Sequence, residues 1–162
     1  MSQVQVNRVT RTYIQHIAAP PHKVFPLLCP VREKDWLEGW DYEMVYSLSG
    51  IAERDCIFTT ARHGPSKFIW IVTNYDPDHL FISFVNFMPG VRAMKISITL
   101  DENLESTTCA HITYTCTALG EPGQHFIAHQ FNEGRFQHMM INWENSINHY
   151  LATGQMLKKV HG

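Results

Sequence analysis

What this sequence has little of narrows the field first. Charged residues make up only 17% of its 162 residues, and the 13 Lys and Arg against 15 Asp and Glu leave a formal net charge of −2 with histidines neutral. The longest basic run is Lys158-Lys159, so the electrostatic footprint of a nucleic-acid binder is missing and no nucleic-acid partner is expected. No apolar stretch approaches the ~18 residues that span a membrane. The opening segment MSQVQVNRVTRTY lacks the apolar core of a secretory signal, which makes a cytoplasmic location the expectation. G-x-G-x-x-G and P-loop motifs, H-E-x-x-H and G-x-S-x-G are all absent, removing familiar routes to nucleotide binding, zinc hydrolysis and serine chemistry. The cysteines Cys29, Cys56, Cys109 and Cys116 form no C-x-x-C pair and show no metal-ligand spacing. Reduced, partly buried thiols are expected, with no metal and no cofactor.

What is present reads as one domain over residues 1–162, with its core at 11–153. Residues 11–17 (RTYIQHI) form a first strand, stopped by Ala19-Pro20-Pro21 because proline cannot donate to a ladder. Pro21 suits the first turn of a short helix to Leu28, and a second short helix covers Arg32–Glu38 before Gly39. From Trp40 the period changes to that of strands: 41–50, 56–62, 67–75, 80–87, 91–100 and 107–119 are rich in β-branched and aromatic residues. Turn residues separate them, at Ser49-Gly50, His63-Gly64-Pro65, Asp76-Pro77-Asp78, Met88-Pro89-Gly90 and Asp101-Glu102-Asn103. Linkers this short make hairpins, hence an antiparallel meander. In the last two strands alternation sets Met94, Ile96, Ile98 and Leu100, and Ala110, Ile112, Tyr114 and Cys116, on one face each. Segments 67–75 and 80–87 are apolar on both faces: either they are partly covered on the outside by a second subunit in a homodimer, the favoured expectation, or they are central and simply hydrophobic.

One amphipathic helix is then expected over 124–152, roughly 40 Å long. Phe136, Met139, Met140, Trp143, Ile147, Tyr150 and Leu151 share one side, while Arg135, His138, Asn142 and His149 lie across from them. Gly154 caps the end, and Gly134 marks a bend or a close approach in mid-helix. Strands followed by one long helix suggest a curved antiparallel sheet gripping that helix around a cavity.

Towards its start the helical stripe turns polar. His125, His129 and Asn132 project onto the sector of Phe136 and Trp143, so the two histidines, four residues apart, can reach one ligand. The alternative is a pair of solvated histidines at a frayed helix start. In Cys29-Pro30-Val31-Arg32-Glu33-Lys34-Asp35-Trp36-Leu37-Glu38-Gly39-Trp40, Trp36 and Trp40 either form the lip of a pocket, with Arg32 or Glu33 at the ligand's polar end, or plug the sheet against the short helices. Glu53 either pairs with Arg54 or Arg62 at the surface or joins Glu33 as a second cavity carboxylate, which would permit acid/base work if burial raised one pKa. The candidate walls are Trp36, Trp40, Phe58, Trp70, Tyr114 and Trp143, and the candidate anchors are Glu33, Glu53, His125 and His129. No catalytic residue is assigned.

Between Arg11 and Leu151 the chain resembles the START-like (SRPBCC) superfamily. That superfamily includes polyketide cyclase/aromatases, heat-shock chaperone activators, lipid-transfer domains and the birch-pollen-allergen group. The resemblance is carried by Ile17-Ala18-Ala19-Pro20-Pro21-His22-Lys23-Val24-Phe25, Trp36, the Gly50-x-x-Glu53 segment leading into Cys56-Ile57-Phe58-Thr59-Thr60, Tyr75-Asp76-Pro77, and a closing helix near Tyr150-Leu151. It implies an α+β helix-grip fold: a seven-stranded antiparallel sheet around a long C-terminal helix, with two short helices after strand one. It also implies a cavity for a small hydrophobic or amphipathic ligand, a lipid or an aromatic metabolite. A cyclase/dehydratase-type enzyme using cavity His and Glu side chains is the alternative. A chaperone-activator-like module binding a protein partner on its outer sheet surface is the third.

Overall fold

The computed structural model describes residues 7–61 and 66–159. Strand β1 (Arg8–Ile17) leads through Pro20 into α1 (Pro21–Val24), a 3-10 turn (Phe25–Leu28) and α2 (Pro30–Trp36). The strands β2 (Tyr42–Tyr46), β3 (Ile57–Ala61), β4 (Lys67–Asp76), β5 (Phe81–Met88), β6 (Arg92–Glu102) and β7 (Thr108–Ala118) follow, and then the helices α3 (Glu121–His129) and α4 (Glu133–Thr153). All seven strands make one antiparallel sheet in the order β1-β7-β6-β5-β4-β3-β2. This is the expected α+β helix-grip architecture. Arg62 and the expected turn His63-Gly64-Pro65 lie outside the described residues. The strand expected over 41–50 is shorter, because residues 47–55 form a hydrogen-bonded loop instead.

Alternation places the rows as read. Met94, Ile96, Ile98 and Leu100 of β6 and Ala110, Ile112 and Cys116 of β7 are buried on the helix side of the sheet, where they join Val24, Leu28, Trp36, Phe136, Met140 and Ile147 in the core. The helix α4 is pinned along β1 by polar contacts four residues apart. Gln15 Nε2 donates to the Met140 carbonyl (3.0 Å), the His16 amide to Glu144 (2.6 Å) and the Ala18 amide to Asn148 (2.8 Å). The His16 contact satisfies a backbone donor of an edge strand, which would otherwise invite pairing with another chain, and the Ala18 contact satisfies the amide just past its end.

The continuous helix expected over 124–152 is two helices. Amides of Gln130 and Phe131 both close onto the Phe126 carbonyl (2.8 and 3.0 Å), ending α3. Asn132 is extended and its side chain accepts from the Arg135 amide at 3.0 Å, starting α4 as an N-cap. Gly134 is therefore the second residue of α4 rather than a mid-helix bend.

The start of α3 is held tightly. A Cβ on Gly123 would lie 2.0 Å from the Val91 carbonyl oxygen and 2.9 Å from Ala118, whereas one on Gly134 would meet only the Asn132 side chain, at 3.8 Å. Gly123→Ala is therefore expected to destabilise the protein by roughly 1–3 kcal/mol. Gly134→Ala should be neutral or stabilising by up to about 1 kcal/mol. Chemical denaturation of the two variants checks this, and equal effects would rule out the close approach.

Candidate functional site

Because α4 is held along β1, at one edge of the sheet, the ground over β3–β6 is left partly uncovered. A cavity of about 580 Å³ lies there, bounded by the inner face of the sheet, α2, α3 and α4. Its floor is the inner row Met94, Ile96 and Ile98. Phe58 and Trp70, partners across β3 and β4, stack at 5.4 Å with planes 13° apart. Trp40 meets them edge-on at 6.3 and 5.6 Å. Such offset and edge-on contacts add to the rings' burial and fix their faces. From the far side come Tyr114, set against Phe136 at 5.4 Å, and Trp143. The exposed Arg135, His138 and Met139 also border the cavity, so it opens to solvent along the first turns of α4.

The segment 29–40 owes its shape to two residues. Pro30 begins α2, and Gly39, at φ +82°, reverses the chain after it, a backbone state that glycine adopts freely. Trp40 thereby turns back over the cavity, its Nε1 donating to the Pro30 carbonyl at 2.8 Å. Trp36 is fully buried, donates to the Leu27 carbonyl (2.9 Å) and packs against Trp143 at 5.4 Å. It backs the wall rather than lining it, so of the two tryptophans one is lip and the other plug.

The cavity holds three notable polar groups. Glu33 of α2 is 8% exposed and borders the cavity, and its carboxyl bonds to no described side chain or amide. Burial pushes that carboxyl well above its ordinary pKa, because the charged form loses its hydration. Burial also pushes the Tyr114 phenol up, Glu33 adding to the rise and Arg92 opposing it. Arg92 lies 4.6 Å from the ring centres of both Phe68 and Phe126 and donates to Asn86 at 2.6 Å. A guanidinium between two ring faces keeps its charge without full hydration.

Of the residues expected at the site, Glu33, Trp40, Phe58, Trp70, Tyr114 and Trp143 come together around the cavity. Trp36 lies behind it, and three residues do not reach it. His125 and His129 are exposed, with their rings 4.3 Å apart, and Phe126 takes the cavity side of α3 instead. Their expected alignment with Phe136 and Trp143 assumed one unbroken helix, and the break at 130–132 resets the phase. Glu53 closes the loop after β2, accepting from Ser47 Oγ (2.9 Å), the Ser49 amide (3.1 Å) and the Leu48 amide. Desolvation pushes its carboxyl up, but these bonds together hold it below its ordinary pKa.

Sequence reading missed Arg92, Asn86 and the mouth residues Arg135 and His138. Arg92 was within reach: it precedes Met94 by two residues and so falls on the inner row of β6. Arg135, His138 and Asn142, read as the far side of the helix, instead border the cavity. Among the described residues no cluster of His, Cys, Asp and Glu is arranged to hold a metal ion, and no helix is long and apolar enough to cross a membrane.

No protein-family model matches the sequence, and no curated protein matches it. Solved structures do match. DynU16, a protein of the dynemicin biosynthetic locus, is 16% identical with a TM-score of 0.58 over 92% of this chain and 48% of its own. This chain thus spans about half the length of that protein. A Rhizobium leguminosarum protein is 13% identical with a TM-score of 0.62, over 90% of this chain and 95% of its own. Ara h 8.0201 is 12% identical with a TM-score of 0.62, over 90% of this chain and 99% of its own. At these identities the likeness is one of fold, the helix grip.

The raised pKa of Glu33 has a measurable sign. A carboxyl whose pKa rises on folding takes up a proton as the chain folds, so its burial costs nothing well below its ordinary value of 4.5 and an increasing amount as pH climbs through the raised one. Glu33→Gln, neutral at every pH, should match the wild type near pH 4 and exceed it in stability increasingly at higher pH. Denaturation of both proteins across that range checks it, and parallel curves would mean that the carboxyl is not desolvated.

Proposed function

We propose that this protein binds a small hydrophobic or amphipathic molecule, a lipid or an aromatic metabolite, in the cavity between sheet and helices. One observation carries the reading: a space of about 580 Å³ with aromatic and aliphatic walls, three converging polar groups and an opening beside α4. Protein interiors normally close up to leave few voids larger than a water molecule, and ligand sites are mostly apolar clefts of roughly 300–1,000 Å³. The place of DynU16 in a biosynthetic locus is in keeping with a small-molecule role.

A second reading, an acid/base enzyme of the cyclase or dehydratase type, is supported by Glu33. A carboxyl held protonated in an apolar cavity can serve as a general acid. In that reading His138 at the mouth, rather than His125 or His129, is the histidine beside the cavity. A homodimer would use the outer face of the sheet. There Ile57, Ile71 and Val85, with Ile69 and Phe87, pair across strands on the side opposite Phe58 and Trp70.

Three of the four tryptophans, Trp40, Trp70 and Trp143, border the cavity, so an occupant should quench their fluorescence. Titration with N-phenyl-1-naphthylamine is expected to quench it and to saturate at one probe per chain. Met94→Trp, which fills the floor, should weaken that binding by tenfold or more while costing at most about 1–3 kcal/mol of stability. A wild-type protein that neither binds the probe nor carries an extractable apolar molecule when purified would sink the proposal.

A further inference from the structure

We propose that Glu33 and Tyr114 form a two-donor site inside the cavity that takes one oxygen of a flat ring ligand in its phenolate or enolate form. The inference rests on the container reading above and names the ligand class that reading leaves open. Glu33 comes from α2 and Tyr114 from β7, and both border the same cavity. Buried polar groups are nearly always hydrogen-bonded. Yet neither of these two side chains bonds to a described residue, and neither is sealed away as Gln15 Oε1 is. Both therefore face space that a ligand can enter.

Their protonation decides what they can recognise. The charge of Glu33 reaches Tyr114, and burial opposes ionisation of each. In the proposed site each keeps its proton and is an O–H donor in need of an acceptor. Two neutral donors reject a cationic ligand head and favour an oxygen rich in electrons. Arg92, whose charge also reaches Tyr114, biases the choice further towards an anionic oxygen. A protonated carboxyl beside a phenol is an effective way to hold an oxyanion in an apolar site. The walls set the shape of the ligand: the stacked Phe58 and Trp70 and the edge of Trp40 present flat faces. A ring system fits such faces, whereas an alkyl chain would leave them partly uncovered.

The test uses 2-naphthols of similar size and graded acidity, with naphthalene as the oxygen-free control. For each protein the readout is the ratio of naphthol to naphthalene affinity. The wild-type ratio should rise with naphthol acidity, and the absorption band of the naphtholate should appear for the bound probe near pH 7. Tyr114→Phe and Glu33→Leu should each lower the ratio by about tenfold or more, the usual worth of a hydrogen bond to a charged acceptor. Glu33→Gln, which keeps a donor, should fall between them and the wild type. Naphthols binding the wild type no better than naphthalene, or ratios unchanged in both Tyr114→Phe and Glu33→Leu, would overturn the donor site and leave the container reading standing. Failure of naphthalene and N-phenyl-1-naphthylamine alike to bind the wild type would overturn both.

Discussion

The attachment of α4 to the edge strand β1 is the constraint on which the rest of the structure depends. Met140, Glu144 and Asn148 sit four residues apart on one helical face and meet Gln15, His16 and Ala18 in order. An α-helix brings residues four apart onto one line, so a single face carries all three contacts. Arg11 extends the line, donating to the Phe131 carbonyl (2.7 Å) and pairing with Glu133 (2.9 Å). With the helix fixed there it cannot slide over β3–β6. The concavity of the sheet is then closed by side chains from α2, α3 and α4 rather than by a helix backbone, and a cavity remains.

Within that cavity desolvation outweighs other electrostatic effects. For Glu33 it is the cause of the raised pKa, and no cation among the described residues offsets it. The contrast with Glu53 is instructive. That carboxyl lies in a loop where three donors converge on it, and its pKa falls. Two glutamates of similar standing in the sequence are thus driven in opposite directions by their surroundings. The same contrast separates a group suited to binding or acid chemistry from one that shapes a turn.

Much of this was legible in the sequence. The alternation of β6 and β7, the turn residues between strands and the Pro20-Pro21 stop each report a local backbone preference, and local preferences survive folding. The aromatic walls were legible as a set, although the facing of Phe58 and Trp70 became definite only with their register. The division of the last helix was not legible, because His125, His129 and Asn132 keep the helical phase of Phe136 and Trp143 across it. Asn132, a good N-cap residue in the midst of helical pattern, and Gly134, read as a bend or close approach, were the hints of a break. The exposed positions of His125 and His129 follow from that break, and so could not be read before it. Arg92 was hidden for the opposite reason: alternation placed it inside, but a cation on an inner row runs against the usual composition of cores.

The distribution of charge around the cavity bears on kinetics. The chain as a whole carries −2, yet Arg92, Arg135 and Lys159 border the cavity alongside Glu33 and Glu38. An anionic solute far from the surface gains nothing from this arrangement, since screening limits attraction to about 8 Å at physiological ionic strength. The pull begins only at the mouth. For an anionic occupant of the proposed site, such an arrangement would do little to hasten encounter and more to delay escape, so differences between ligands would show in residence time and far less in the rate of capture.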